Sequence, residues 1–384
     1  MFSFIDYNFS TKYWNKKSCE IKINNIPFIE DEIISSLLFY KEDLTKYQKI
    51  NKSMDFITAI DNKLVISKNP SMLITKNESL DDYIFRLENS FTNSWCIAYF
   101  GLHTISSSIW DKIRDFSKKL NNNLINRPLG RIDIDCFIGR YNSTHTGIHV
   151  DHAHNFSFTM RDGKKMYTWD PLHKNINHIK YPEYNKYKND SIILHNNKDR
   201  VCYFPHNYFH VAESPNKTSV VINIALWDKD DKKDNIYTYI NQQLSCFVEE
   251  KNDINFYSGS VNLDKNFNKI ILKINELKIE KILIQSIINQ LIRDTSFYIG
   301  VPRPRKKFQK KEIFSIEKNS ILQWYPLSDS IIFSSNGYCA KIKKSKEIKN
   351  LLEDLISEDR ITYNNKSEQE KDIIIKLFEW GYLE

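Results

Sequence analysis

Between residues 149 and 160 the chain alternates. The odd positions His149, Asp151, Asn155, Ser157 and Thr159 are polar, and the even positions Phe156, Phe158 and Met160 are apolar. Successive side chains of a strand point to opposite faces, so this pattern predicts a β-strand with one polar, inward-lining face and one packed face. Asp162-Gly163 marks a turn, and the run 165–169 reads as the next strand. Apolar runs at 201–204 and 219–227 predict two more, 94–100 another, and the alternating stretch 131–139 leads into the histidine-rich region. Strand, turn, strand, loop, strand, strand is the pattern of a small antiparallel barrel or sandwich. The polar segment 171–200, with Tyr181, Tyr184 and Tyr187, reads as a long loop at its mouth, where the tyrosines either meet a substrate or pack on the loop itself.

Helical periodicity flanks this β-rich region. Residues 28–44 follow Pro27, carry Glu30, Asp31 and Glu32 near their start, and bury a stripe of Ile33, Ile34, Leu37 and Leu38. Residues 109–120 align Ile109, Ile113, Phe116 and Leu120 on one face. Beyond a charged boundary at 228–231, helical patterns dominate to residue 300, with a very apolar stretch at 267–291. A unit this apolar must bury against something, either its own barrel or a second copy. Residues 301–311 form a basic, proline-containing connection that reads as a solvated linker. Further on, Ser335-Asn336-Gly337 signals a hairpin, and 346–357 and 370–380 read as helices, the last ended by Gly381. The domain expectation is therefore 1–231 with a core at 130–230, a helical segment at 232–300, and a C-terminal domain at 301–384.

The polar face of the central strand holds the candidate chemistry. His149 and Asp151 are two apart, and His210 follows about sixty residues later after Phe204-Pro205. Two histidines and a carboxylate can form a facial triad that leaves coordination positions open and suits non-haem Fe(II). A lone histidine on a half-buried sheet is most often just a polar residue; the constellation is what carries the metal reading. Nine of the ten histidines lie between 145 and 210. His152 and His154 are therefore alternative ligands, or flank the site as neighbours of it. Asp133 and Asp135 also share a strand face and read as a solvated or substrate-facing edge, since no histidine accompanies them.

His149-x-Asp151 with Asn155-Phe156, Gly163-x-Lys165, Phe204-Pro205-x-x-Tyr208-Phe209-His210 and Asn223-x-x-x-Trp227 resembles the JmjC and cupin-type oxygenases dependent on Fe(II) and 2-oxoglutarate. The texture is closest to the ribosomal oxygenases and asparaginyl hydroxylases. The resemblance implies an α+β chain with a double-stranded β-helix (jelly-roll or cupin) barrel, a helical dimerisation segment and a C-terminal winged-helix-like domain. It implies His149, Asp151 and His210 as iron ligands and Lys165 as the cation for the distal carboxylate of 2-oxoglutarate. The stretch between Asp151 and Gly163 is one residue longer than the family's, so Lys164 competes with Lys165. Thr146 corresponds to a hydroxyl that assists the first ligand, and Asn155 and Asn223 to amides near iron and co-substrate. Dioxygen is the oxidant. Expected substrates are protein or peptide side chains, such as a ribosomal protein or a natural-product precursor. A nucleic acid and a catalytically silent binding cupin remain the alternatives.

Composition narrows the classes. Aromatics at 13% and hydrophobics at 41% exclude a disordered chain. The net charge of +7 permits an acidic or nucleic-acid partner without requiring one. Six scattered cysteines with no Cys-x-x-Cys fit reduced thiols rather than a zinc or disulfide framework. The start of the chain lacks the pattern of a signal peptide, and no apolar run reaches the length of a transmembrane helix, so a cytoplasmic protein without membrane contact is expected, and the apolar stretch at 267–291 leads to the expectation of a homodimer.

Overall fold

The computed structural model describes residues 2–50, 55–65, 70–91, 93–124, 128, 130–173, 176, 178–228 and 279–384. The chain divides into two compact units, Met1–Lys229 with Ser296–Lys307, and Asp230–Thr295 with Phe308–Glu384.

The first unit is built on strands β1 (Cys19–Lys22), β2 (Asp55–Ile60), β3 (Lys63–Val65), β4 (Trp95–Phe100), β5 (Ile132–Tyr141), β6 (His149–Val150), β7 (Ala153–Arg161), β8 (Lys164–Trp169), β9 (Ile192–Asn196), β10 (Arg200–Phe204) and β11 (Phe209–Trp227). Among the described residues they form one antiparallel sheet in the order β1-β10-β7-β11-β5-β4-β2-β3, with β6 and β8 also on β11 and β9 on β8. β11 belongs to both halves of this sheet. Its residues 209–213 pair with β8, whereas residues 219–226 lie between β5 and β7. The register with β5 breaks between Ser214 and Ser219. Such an irregularity bends the strand and lets one sheet close over itself. The result is a jelly-roll barrel in an α+β chain.

The alternation read from the sequence sorts the two faces. Phe156, Phe158, Ile222, Ile224, Ile134 and Ile138 are fully buried on the outer face. Helix α1 (Tyr7–Lys12), α2 (Glu30–Ile50), α3 (Leu80–Ser90) and α4 (Ser107–Asn123) contribute to the same core. Phe116 of α4 meets Phe156 edge-on at 5.1 Å, and Phe9 of α1 meets Tyr203 at 5.0 Å. Each such ring contributes roughly 1.5–3 kcal/mol of burial. α4 starts where Ser106 accepts the Ile109 N–H at 3.3 Å, and its predicted stripe is buried throughout. α2 begins with the expected acidic turn.

Two expectations change. Residues 171–200 are not simply a loop: they hold a 3-10 helix at Glu183–Asp190 and strand β9. β9 extends the sheet through its backbone pairing with β8 while Ile192 and Ile193 stay exposed, so side-chain patterning gave no signal for it. The start of the basic connection, with the residues just before it, is also not wholly solvated. Phe297, Ile299 and Val301 enter the core of the first unit, the Trp110 indole N–H donates to the Val301 carbonyl at 3.0 Å, and Arg303 grips Asp111 through two bonds of 3.0 and 2.9 Å.

The second unit contains α5 (Ile279–Thr295), β12 (Ile313–Ser315), β13 (Leu322–Pro326), β14 (Ser330–Ser335), β15 (Tyr338–Lys343), α6 (Lys346–Ser357), β16 (Arg360–Thr362) and α7 (Glu368–Glu379). β13, β14 and β15 form an antiparallel sheet, turned at Asn336 and Gly337 with φ of 48° and 82°. Two successive positive φ values are what a tight type I′ hairpin demands. α6 and α7 bury Leu351, Leu352, Leu355, Ile373, Ile374 and Leu377 in this unit's own core. α7 opens with a capping box of Ser367 and Glu370. The apolar stretch expected to mediate dimerisation lies outside the described residues up to 278. Among the described residues no helix is long and apolar enough to cross a membrane, and Cys19, Cys96, Cys136, Cys202 and Cys339 are free.

Candidate metal centre

Three backbone decisions assemble the site. β6 is only two residues long, and it pairs with β11 so that His149 stands directly opposite His210. Asp151 follows in the short break before β7. The imidazole centroids lie 4.2 Å apart. Asp151 places one carboxylate oxygen 3.7 Å from His149 Nε2 and the other 3.4 Å from His210 Nε2. One ligand atom from each residue falls within 4.8 Å of the others.

The far side of each ring fixes its orientation. His149 Nδ1 lies 2.9 Å from the Gly147 carbonyl and 3.2 Å from the Thr146 hydroxyl, and His210 Nδ1 lies 3.1 Å from the Tyr208 carbonyl. A carbonyl only accepts, so each Nδ1 carries the proton and each Nε2 lone pair faces Asp151. Thr146 is thus held beside the first histidine, and its hydroxyl also meets that of Thr144 at 2.7 Å. Burial and the adjacent His210 push the His149 imidazole down to about 4. Burial alone would raise the Asp151 carboxyl, but His210, His149 and the Asn155 amide outweigh it and hold the group well below the usual carboxylate range. Neutral imidazoles and an ionised carboxylate are the forms that ligate a divalent metal. The donor set, two nitrogens and one carboxylate with an open side, fits non-haem iron.

The expected amides are here too. Asn223 Nδ2 donates to Asn155 Oδ1 at 2.8 Å, and Asn155 Nδ2 reaches the Ala153 carbonyl at 3.0 Å and Asp151 at 3.5 Å. Asn223 Oδ1 is buried without a hydrogen-bond partner among the described residues. All of these side chains line one cavity of about 480 Å³.

The structure separates the two candidate lysines. Lys165 is exposed and stands opposite Glu213 and His195 in the sheet, on the face shared with Tyr167 and Trp169. Lys164 points the other way: it is 6% exposed and lines the cavity with Met166. The turn sets this parity. A Cβ on Gly163 would lie 2.2 Å from the Asn196 carbonyl, so only glycine lets the turn pass this close to β9 and deliver Lys164 to the inner face. The Lys164 ammonium sits 5.1 Å from the Phe137 ring. Burial pushes it down to about 8, and among the described residues no carboxylate pairs with it.

Sequence reasoning missed Tyr141 and read Asp133 and Asp135 only as a solvated or substrate-facing edge. Tyr141 is buried in the cavity lining, and among the described residues its hydroxyl has no hydrogen-bond partner. Asp133 accepts from the Trp227 indole at 2.6 Å and pairs with Arg131 at 3.0 Å, while Arg131 lies over the Trp227 ring at 4.5 Å. Asp135 is held by the Gly101 N–H at 3.1 Å, and burial with Asp133 nearby raises its carboxyl well above the usual range. The edge read from Asp133 and Asp135 is therefore a cavity wall. Tyr184 of the mouth segment is fully buried, with its hydroxyl 2.6 Å from the Asn142 carbonyl and 2.5 Å from a Glu213 carboxylate oxygen, so it ties the segment to the barrel and does not line the cavity. His152 contributes no ligand atom to either described cluster, and His154 lies in a second one, apart from the cavity.

No family model matches the chain. A putative chaperone PpiD of Buchnera aphidicola is 30% identical over 139 residues, 36% of this chain and 25% of the relative. The chain thus spans a quarter of that protein's length, and the match carries no assignment. Solved structures cover far more. Escherichia coli ycfD aligns over 98% of this chain and 97% of its own at 13% identity, with a TM-score of 0.52. A second structure of YcfD, described as a ribosomal oxygenase from Escherichia coli, aligns over 98% and 96% at 14% identity, with a TM-score of 0.50. At these identities the likeness concerns architecture: the chain has the fold of the ribosomal oxygenase YcfD.

Proposed function

We propose that this protein is an Fe(II)- and 2-oxoglutarate-dependent oxygenase that hydroxylates a side chain of a protein or peptide. One observation carries the reading: a cavity that holds both a convergent His-Asp-His set and a buried lysine with no acidic partner among the described residues. A buried ammonium is costly unless something neutralises it. The distal carboxylate of a keto acid would do so, and in a dry pocket that pairing is worth more than in water. His149, Asp151 and His210 hold the metal, which when bound supplies, with the keto acid, the activation of dioxygen. Gly147 and Tyr208 keep the imidazoles in the ligating tautomer, Thr146 buttresses the first of them, and Asn155 orients Asp151. Asn223 holds the Asn155 amide in place at the cavity wall. Lys164, with Tyr141 available as a donor, holds the co-substrate.

Asp55, Asp133 and Asp135 interrupt the cations Arg131 and Lys164 in the cavity lining, so it is not the continuous basic groove a phosphate backbone would favour, which supports a peptide over an RNA substrate. YcfD, whose fold this chain shares, is described as a ribosomal oxygenase, which makes ribosomal proteins the first candidates here, with precursor peptides next. The C-terminal unit reads as winged-helix-like, with the β14–β15 hairpin as its wing. Residues of about 232–300 are proposed to form a cytoplasmic homodimer, and light scattering at low micromolar concentration would refute this by giving a monomer's mass.

The function is tested by keto-acid turnover with and without Fe(II), joined to mass spectrometry of candidate substrates co-expressed with the protein. The expected result is iron-dependent consumption and the gain of one oxygen atom on a peptide. No turnover under any metal would leave a silent cupin, and oxygen gained on an RNA would replace the peptide reading.

A further inference from the structure

A second group of potential ligands stands on the opposite face of the same strands. His154 follows the sheet's alternation away from Asn155 and the cavity. It is 1% exposed, stacked at 4.1 Å on Trp14, and its Nδ1 lies 3.0 Å from the Tyr203 hydroxyl. His206 comes from the turn between β10 and β11, and its ring centroid is 4.8 Å from that of His154. Asp228 follows the end of β11, with Oδ2 3.9 Å from His206 Nδ1. One ligand atom from each of the three lies within 4.8 Å of the others, the same bound that describes the cavity triad.

We propose that His154, His206 and Asp228 form a second metal site, for a divalent transition ion of the zinc type, independent of the catalytic centre. The donor set suits borderline ions that take imidazole and carboxylate together. Ligands at about 2.1 Å in a tetrahedron are roughly 3.4 Å apart, so the three atoms need only small shifts to close on an ion. The existing contacts do not account for the cluster. At 3.9 Å the His206–Asp228 pair is beyond hydrogen-bond reach, and neither side chain makes a hydrogen bond among the described residues. The surroundings suit a metal ligand. The Tyr203 hydroxyl, which also accepts the Asn15 N–H at 2.9 Å, is placed to accept from His154 Nδ1 and turn Nε2 to the cluster. Trp14 covers the buried side, whereas His206 and Asp228 are partly exposed and leave an entry path and a position for water.

The backbone is already tied at this point. The Asp228 N–H donates to the His152 carbonyl at 3.0 Å, and the Asn207 N–H donates to the Asp151 carbonyl at 3.3 Å. An ion here would staple the turn that leads into His210 to the end of β11.

The test counts Zn²⁺ on the full chain after metal stripping, by competition with a chromophoric chelator. An Asp151→Ala background disables the cavity site. In that background one equivalent of Zn²⁺ is expected, and adding His206→Ala or Asp228→Asn should weaken it at least tenfold, with unchanged circular dichroism. No Zn²⁺ bound in the Asp151→Ala protein, or one equivalent indifferent to both added substitutions, overturns the site. Should Asp151→Ala fail to fold, the unaltered background decides: two equivalents falling to one with His206→Ala supports the site, and an unchanged number refutes it.

Discussion

The two faces of the large sheet are made from the same strands and do opposite things. On the outer face Phe156, Phe158, Ile222 and Ile224 are sealed under helices and rings. One residue along, Asn155 and Asn223 face a cavity and are bonded to each other. The hydrophobic face holds the barrel in shape whatever its exact side chains, as long as volume is kept. The polar face depends on individual atoms, because each buried donor or acceptor there must be matched. Lys164 and Lys165 state the difference most sharply: adjacent, chemically identical, and separated by the thickness of the sheet.

The most severe way to break this comparison is Asp151→Ala. It removes the only carboxylate of the cavity triad, and iron-dependent keto-acid turnover should vanish; full activity would sink the assignment. Phe156→Ala attacks the other face. It should cost about 3–5 kcal/mol of unfolding free energy in a denaturant titration, with metal stoichiometry intact in the protein that remains folded. A loss of metal without a loss of stability would show that the faces are not separable.

Next in size is the lysine pair. Lys164→Ala should weaken 2-oxoglutarate binding about a hundredfold, near 2.7 kcal/mol, while Lys165→Ala leaves it close to the unaltered value in calorimetry. The reverse ranking would restore the family spacing and overturn the parity seen here. The smallest effect is on pH. Burial holds Lys164 at about 8, so below that pH it carries the proton that a carboxylate needs. Above it the free protein loses the proton, and the apparent dissociation constant of 2-oxoglutarate should rise about tenfold per unit. A flat profile between pH 7 and 9.5 would show that another cation holds the co-substrate.

The chain alone determined the alternation of β7, the stripes of α2 and α4 and the Asn336-Gly337 hairpin, whereas the single strand expected from His149 onward is broken at residues 151–152. What it determined is local: a period of 2 or 3.6, or a turn residue with its own φ preference, is written in consecutive positions. β9 was not legible, because backbone pairing on β8 rather than a side-chain pattern makes it a strand. The choice between Lys164 and Lys165 was not legible either. In the run 164–169 apolar residues fall on both parities, with Met166 beside Lys164 and Tyr167 and Trp169 beside Lys165. Only the close passage of Gly163 past Asn196 sets the register, and through it which ammonium is buried. The nearness of His154, His206 and Asp228 was beyond the sequence for the same reason. It depends on where three strand ends meet, and a long-range register is decided by the packing of the whole barrel rather than by any one segment of it.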